Sequence, residues 1–153
     1  HRPAKRWAAV NFAQLAAGLA AGGVEPVILG GAGERTLANE IKTAAVAIRD
    51  LTGLTILADL AVLARDAAGA VGNDTGPMHM AAIHRTPCVA IFSEVFPIEK
   101  WHPRGENHIV LRADVACSGC MLEECFAEPS YCMSKIGVED VVAAVKRKMN
   151  FVN

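Results

Sequence analysis

The residues best suited to chemistry form one short segment, Asn73 to His79. An apolar strand is predicted to end at Gly72, and a helix is predicted to begin near Pro77, because proline favours the first helical position. The unpaired N–H groups of such a first turn, together with the helix dipole, attract an anion such as phosphate. The segment therefore predicts a phosphate site where a strand meets a helix.

Individual residues of this segment extend the prediction. Gly76 has no Cβ, so the backbone can lie close against a ligand, and either Thr75 or Gly76 would cap the helix. Asp74 would accept hydrogen bonds from sugar hydroxyls, and His79 would donate one to a phosphate oxygen. A structural interpretation stays open, because Asp-Thr-Gly is also a common turn and a histidine at a helix start is often a partly buried structural residue.

Four cysteines fall close together late in the chain, at Cys117, Cys120, Cys125 and Cys132. The first two have a C-x2-C spacing that suits a metal, and four thiolates would hold a structural zinc ion. Disulfides are a competing interpretation, although a cytoplasmic protein usually keeps its thiols reduced. Unmodified thiols are the third interpretation. Cys88 lies in an apolar strand and is predicted to belong to the core.

Strands and helices alternate along the chain and must position these groups. Helices are predicted over Trp7–Ala21, Glu34–Ala45, Leu54–Ala67, Pro77–His84 and Val138–Met149. Strands are predicted over Pro26–Leu29, Val46–Leu51, Ala70–Gly72, Cys88–Phe92 and His108–Leu111. Alternation with short connections predicts an α/β fold with a Rossmann-like parallel sheet flanked by helices, and ligands bind such sheets beyond the carboxyl ends of the strands.

Apolar positions recur at helical spacing in the first, third and last predicted helices and indicate which faces are buried. They are Trp7, Val10, Phe12, Leu15 and Leu19; Ile56, Leu60, Leu63 and Ala67; and Val138, Val141, Val142, Val145 and Met149. The last helix is the clearest, because acidic residues occupy its first turn and basic residues its last, as the helix dipole favours.

Composition excludes several classes of protein. The 153 residues suit one domain, and 52% hydrophobic against 20% charged residues indicate a globular chain. A formal net charge of −1 does not support nucleic-acid binding. No apolar stretch is long enough for a transmembrane helix, and the amphipathic start does not fit a signal peptide. Because the chain begins at His1 without Met, we expect it to derive from a longer protein.

Three segments together resemble glycosyltransferase family 9, which includes the heptosyltransferases of lipopolysaccharide inner-core synthesis. They are GNDTGPMHMAA followed by the strand PCVAIF, RPAKRW at residues 2–7 and VILGGAGE at residues 27–34. The resemblance spans almost the whole chain, in the family's order and spacing. It implies the GT-B architecture of two Rossmann-like domains, with residues 1–153 as the C-terminal domain that binds the nucleotide-sugar donor.

The resemblance also implies roles for single residues. Lys5 would contact the donor's phosphates, and Glu34 would bind the ribose hydroxyls. Thr75, Gly76 and Met78, at the start of the helix, would face the diphosphate, while Asp74 and His79 would line its sugar–phosphate end. From the residues alone, the favoured interpretation of Lys5 is a solvated surface lysine, and that of Glu34 is a helix N-terminal acid stabilised by the dipole. The side chains of Met78 and Trp7 are predicted to be core.

The reaction that the resemblance implies is heptose transfer from ADP-heptose to the lipopolysaccharide core. Preorganised N–H donors and Lys5 would stabilise charge on the leaving diphosphate, and no metal would be required. The catalytic base and the acceptor site would belong to a missing N-terminal domain, so the isolated chain would bind donor without turnover. The enzyme would be cytoplasmic, at the inner face of the membrane. A sugar epimerase of related architecture and a non-catalytic, metal-stapled cysteine module are the alternatives.

Overall fold

Two groups of parallel strands form the framework of the computed structural model, which describes residues 3–44, 48–96, 102–103, 105–125 and 130–149. Strand β1 (Val27–Ile28) pairs with β2 (Arg49–Asp50). Strands β3 (Ala70–Asn73), β4 (Cys88–Ile91) and β5 (His108–Leu111) form a second sheet in that order. Every one of these pairings is parallel, so the predicted α/β fold class is confirmed.

Helices connect and cover these strands. They are α1 (Ala9–Ala21), α2 (Arg35–Ala44), α3 (Leu57–Asp66), α4 (Gly76–Ile83), α5 (Tyr131–Ser134) and α6 (Val138–Lys148), with short 3-10 helices at Pro3–Lys5 and Ala32–Glu34. The predicted elements are present, with boundaries shifted by a few residues. Residues 45–47 lie outside the described residues, so only part of the strand predicted over Val46–Leu51 is described. The short helix α5 was not predicted.

Strand β4 lies at the centre of the core, and all four of its residues are buried. Its side chains belong alternately to two apolar clusters, because neighbouring side chains of a strand point to opposite faces. Val89 and Ile91 pack with α1 and α6 residues on one face. Cys88, Ala90 and Phe92 pack with α3 and α4 residues on the other. Cys88 is therefore core as predicted, and burial raises the pKa of its thiol to about 11.

Trp7 connects the start of the chain to this core. Its side chain is fully buried, with the ring edge-on to Phe12 at 4.9 Å between centroids. The indole Nε1 donates to the carbonyl of Ile136, 2.8 Å away. Ser130 Oγ adds a second bond, to the carbonyl of Pro3 at 2.7 Å. Two tertiary contacts thus fix the position of the 3-10 helix Pro3–Lys5, which contains the candidate site residue Lys5.

Two of the predicted buried faces need correction. Val10 is 55% exposed, because the buried side of α1 is formed by Ala13, Leu15 and Ala16. Ile56 is 69% exposed and precedes α3, whose buried residue is Ala64. The stripe predicted on α6 is confirmed, since its members pack into the core that contains Val89. Within the described ranges, no helix has the length and apolar character needed to cross a membrane.

Candidate functional site

The turn after β3 leads directly into α4. Thr75 has extended backbone angles and occupies the N-cap position, while Gly76 and Pro77 open the helix. The Thr75 side chain does not cap α4, because its hydroxyl donates backwards to the carbonyl of Asn73 at 3.3 Å. Instead, the Thr75 carbonyl accepts the N–H of Met78 at 3.1 Å. The helix start thus lies at the carboxyl end of β3, and the N-cap side chain does not satisfy its free N–H groups.

Lys5 and Asp74 meet at this turn, although they are 69 positions apart in the chain. The Lys5 ammonium donates to Asp74 Oδ2 in a partly buried ion pair. On the other side of the carboxylate, His79 Nε2 lies 3.6 Å from Asp74 Oδ1. The Asp74 side chain is only 11% exposed, against 24% for Lys5 and 38% for His79. The structure therefore brings three predicted site residues together, with a carboxylate between two basic groups.

A hydrogen bond from a backbone N–H connects the segment that contains Lys5 with the segment that contains Asp74. The N–H of Trp7 donates to Asn73 Oδ1 at 3.0 Å, so the first segment of the chain is tied to the end of β3. Lys5 lies two residues before Trp7 and Asp74 lies one residue after Asn73. The ion pair is thus supported by a neighbouring hydrogen bond and by the buried Trp7 ring.

Met78 and Gly76 present different groups to this region. The Met78 side chain is 3% exposed and packs in the cluster that contains Ala90, as predicted for a core residue. Only its backbone is therefore available to a ligand. Apart from the adjoining residues and the α4 backbone, a Cβ built on Gly76 would meet no described atom within 4 Å. Packing among the described residues therefore does not require glycine at this position.

Glu34 lies beyond a different strand, β1, at the end of the second 3-10 helix. Its carboxylate oxygen Oε2 accepts the N–H of Gly31 at 2.9 Å and caps its own turn. The same turn is tied to the end of β2, because the Gly53 N–H donates to the Gly30 carbonyl at 2.8 Å. The capping contact matches the alternative interpretation of Glu34 as a helix N-terminal acid.

The four late cysteines line one small cavity of about 20 Å³. All four are free thiols in the structure, so the competing disulfide interpretation gains no support. In the described part of the chain, no group of three or more His, Cys, Asp or Glu is arranged to hold a metal ion. The zinc prediction therefore gains no support. Burial raises the pKa of the Cys132 thiol, whose sulfur accepts the N–H of Glu94 at 3.4 Å.

Two residues near the site were not predicted. The ring of Phe96 lies with its centroid 5.6 Å from the Lys5 ammonium, within the range of a cation–π contact. Glu94 is 5% exposed and pairs with Arg112. Both follow the carboxyl end of β4, which is where ligands bind parallel sheets. That rule was the available signal, because neither residue belongs to a recognisable motif.

Comparison with known proteins assigns these features to one family. The family described as glycosyltransferase family 9 (heptosyltransferase) matches residues 1–130. Lipooligosaccharide heptosyltransferase 2 of Campylobacter jejuni serotype O:2 is 30% identical over 149 residues, which cover 94% of this chain and 46% of that protein. The chain thus spans about half the length of this curated relative.

Solved structures share the fold. A glycosyl transferase family 9 protein of Veillonella parvula is 25% identical, with a TM-score of 0.81 over 97% of this chain and 43% of that one. The E. coli heptosyltransferase WaaC, solved with ADP-2-deoxy-2-fluoro heptose, is 21% identical with a TM-score of 0.72, over 95% of this chain and 40% of that one. Neither the epimerase nor the cysteine-module alternative is favoured by these proteins.

Proposed function

This chain belongs to glycosyltransferase family 9, and on that basis we propose that its 153 residues form the donor-binding domain of a heptosyltransferase. The donor would be ADP-heptose, and the acceptor would be the inner core of lipopolysaccharide. The acceptor and the catalytic base would be held by the part of the relatives' length that this chain does not span. In this proposal the chain binds donor and does not complete the transfer alone.

One observation carries the proposal, namely the contact between Lys5 and Asp74 at the start of α4. A diphosphate placed over this helix start would meet the positive end of the helix dipole and a lysine ammonium together. As the bond to the sugar breaks, negative charge develops on the leaving diphosphate. Groups already fixed around that charge lower the barrier, because they need no rearrangement during the reaction.

Asp74 has two proposed tasks. Its carboxylate would repel a phosphate placed in direct contact, so the diphosphate would lie on the Lys5 and Gly76 side of the turn. By pairing with Lys5, Asp74 holds the ammonium near the helix start before any ligand arrives. With His79, it would also line the sugar–phosphate end and accept hydrogen bonds from the sugar hydroxyls. Glu34 would bind the ribose hydroxyls beyond β1.

The chemistry requires no metal in this proposal, since Lys5 and the α4 start supply positive charge where other glycosyltransferases use a cation. The four cysteines are proposed to be reduced thiols with a structural role. A thiol titration of the unfolded chain and zinc analysis by mass spectrometry test this point. Five reactive thiols and less than one tenth of an equivalent of zinc are expected from the sequence's five cysteines. One equivalent of tightly bound zinc would restore the zinc prediction.

The cellular location is also part of the proposal. An enzyme that modifies a lipid-linked acceptor would work in the cytoplasm, at the inner face of the membrane. Fractionation of cells that express the protein tests this, with release by high salt expected for a peripheral association.

Calorimetric titration with ADP, with UDP as the control nucleotide, tests the donor-binding role. Saturable binding that prefers ADP is expected. Lys5→Ala should weaken ADP binding by about tenfold or more, because a charge-assisted contact is lost. Lys146→Ala removes an exposed lysine of α6 and should leave the affinity unchanged. Equal affinity of Lys5→Ala and the original chain would refute the phosphate role of Lys5, and a UDP preference would refute the ADP-linked donor.

A further inference from the structure

Glu94 is a charged side chain in a buried place, just beyond the end of β4. Its Oε2 oxygen accepts hydrogen bonds from the Arg112 guanidinium and from Ser118 Oγ, the latter at 2.6 Å. We propose that Glu94 is a positioning residue for the donor site, holding the segment that places Phe96 against Lys5. The inference rests on the proposed function, because it assigns the segment after β4 as a wall of that donor site.

The backbone of Glu94 makes as many connections as its side chain. Its N–H donates to Cys132 Sγ at 3.4 Å, and its carbonyl accepts the N–H of Gly119 at 2.7 Å. The carbonyl of the next residue, Val95, accepts the N–H of Met121 at 3.0 Å. One short stretch is thus tied to the segment after β5 and to α5, which contains Cys132. These ties leave the stretch little freedom to move separately from its neighbours.

Phe96 connects this stretch to the proposed donor site. It lies two residues after Glu94, and its ring centroid is 5.6 Å from the Lys5 ammonium. The ammonium therefore has an aromatic ring and the Asp74 carboxylate as two of its neighbours. A ring next to an ammonium attracts the charge and restricts where the side chain can move. A displaced Phe96 would leave Lys5 held mainly by Asp74.

Stability alone is a poor account of the buried pair. Removing two charges from water is costly, and well-packed apolar residues of similar size are often as stabilising as a buried ion pair. The pair is also imperfect, since the buried Nε of Arg112 has no hydrogen-bond partner among the described residues. The ion pair does fix the position of the Glu94 carboxylate, because the Arg112 guanidinium and the Ser118 hydroxyl both donate to it.

The test compares Glu94→Gln with Thr86→Val in the whole chain. Glu94→Gln keeps the shape of the side chain and removes its charge. Thr86 is also buried, and its hydroxyl donates to the Ala64 carbonyl at 2.5 Å, so Thr86→Val costs a buried hydrogen bond elsewhere. Both variants should lower the melting temperature. Only Glu94→Gln should weaken ADP binding, by about fivefold.

Phe96→Leu sharpens the test. It should weaken ADP binding by a similar factor, and Glu94→Gln combined with Phe96→Leu should be no weaker than either alone, because both act on Lys5 through one contact. Equal loss of affinity in Thr86→Val and Glu94→Gln would overturn the proposal, since the effect would then follow from stability. Additive losses in the double variant would also overturn it.

A second readout does not depend on ADP. Ring current from Phe96 should shift the NMR signal of the Lys5 ε-methylene protons, assigned by the disappearance of that signal in Lys5→Arg. Glu94→Gln should move the signal towards that of an exposed lysine, whereas Thr86→Val should not. If the original chain binds no ADP, the proposed function fails, and this signal still decides whether Glu94 positions Lys5. An unmoved signal in Glu94→Gln would refute the positioning role.

Discussion

The two ends of the proposed donor site are held in different ways. Lys5 reaches Asp74 across 69 positions of sequence, whereas Glu34 bonds to Gly31, which is three positions away. The first contact needs the packing of the chain start against the core, including the burial of Trp7. The second contact lies within the local turn of a 3-10 helix.

This difference has consequences for binding. The phosphate end is organised before a ligand arrives, because the ion pair already lies at the start of α4. At the ribose end, the Glu34 carboxylate oxygen that caps the turn would have to share its hydrogen-bonding capacity with a ribose hydroxyl. We therefore expect the phosphate end to supply more of the affinity, and the ribose end to tolerate substitution better.

Trp7→Phe tests the dependence of the phosphate end on tertiary packing, and it should have the largest effect. It removes the indole bond to the Ile136 carbonyl and leaves part of a fully buried volume empty. The free energy of unfolding in urea should fall by about 2–3 kcal/mol. Glu34→Gln should change it by less than about 1 kcal/mol, since only a cap is weakened. Equal losses would remove the proposed difference between the two ends.

Gly76→Ala tests whether a ligand approaches the start of α4. Apart from adjoining residues and the α4 backbone, the new methyl group would meet no atom of the part of the chain that the structure describes, so the stability should change by less than about 1 kcal/mol. A diphosphate at the helix start would be displaced, and ADP affinity should fall by about tenfold.

Gly18→Ala is the matched control for Gly76→Ala. Gly18 also has open space at the Cβ position and lies within α1. Its substitution should leave ADP affinity unchanged in the same calorimetric titration. If Gly76→Ala binds ADP as well as Gly18→Ala does, the diphosphate does not lie at this helix start.

The sequence predicted the elements better than the contacts between them. Apolar runs located four of the five described strands, because a strand of a parallel sheet is almost continuously apolar, whereas the described part of β2 consists of Arg49 and Asp50. The last helix was equally clear, since its stripe and its charged ends agree. Short elements gave no such signal. Helix α5 has four residues, too few for a helical periodicity to appear.

The site itself was predicted unevenly. The turn at Asp74 to Gly76 follows from a strand, a glycine and a proline in that order, which is a local pattern. The roles of Lys5 and Glu34 came from the family resemblance, and physics alone favoured surface and capping roles for them. Glu94 and Phe96 were missed because their importance depends on contacts with Arg112 and Lys5, and nothing in the spacing of these residues predicts those contacts.

Glu34→Gln measures the contribution of the ribose end. The amide oxygen can still accept the Gly31 N–H, but one charged acceptor for ribose hydroxyls is lost. ADP affinity should fall by about threefold, less than for Gly76→Ala. Glu40→Gln, an exposed substitution in α2, is the control and should have no effect. A larger loss for Glu34→Gln than for Gly76→Ala would reverse the ranking of the two ends.

Asp50→Asn should have the smallest effect, and it tests how the ribose end is supported. Thr52, whose N–H donates to Asp50 Oδ1 at 2.9 Å, and the nearby Lys42 hold the pKa of Asp50 below its usual 3.8. A carboxyl with a lowered pKa stabilises the fold above its unfolded pKa, and this contribution is lost as the pH falls through the folded value. The difference in melting temperature between the original chain and Asp50→Asn should therefore be constant above about pH 5 and shrink below pH 4.

The same substitution should have little effect on ADP binding. The carbonyl of Thr52 accepts a hydrogen bond from the Arg35 guanidinium at 2.6 Å, and Arg35 is next to Glu34 in the chain. Loss of the Asp50 contact with Thr52 should therefore change ADP affinity by less than about twofold. A larger change would mean that the ribose end depends on tertiary packing as the phosphate end does.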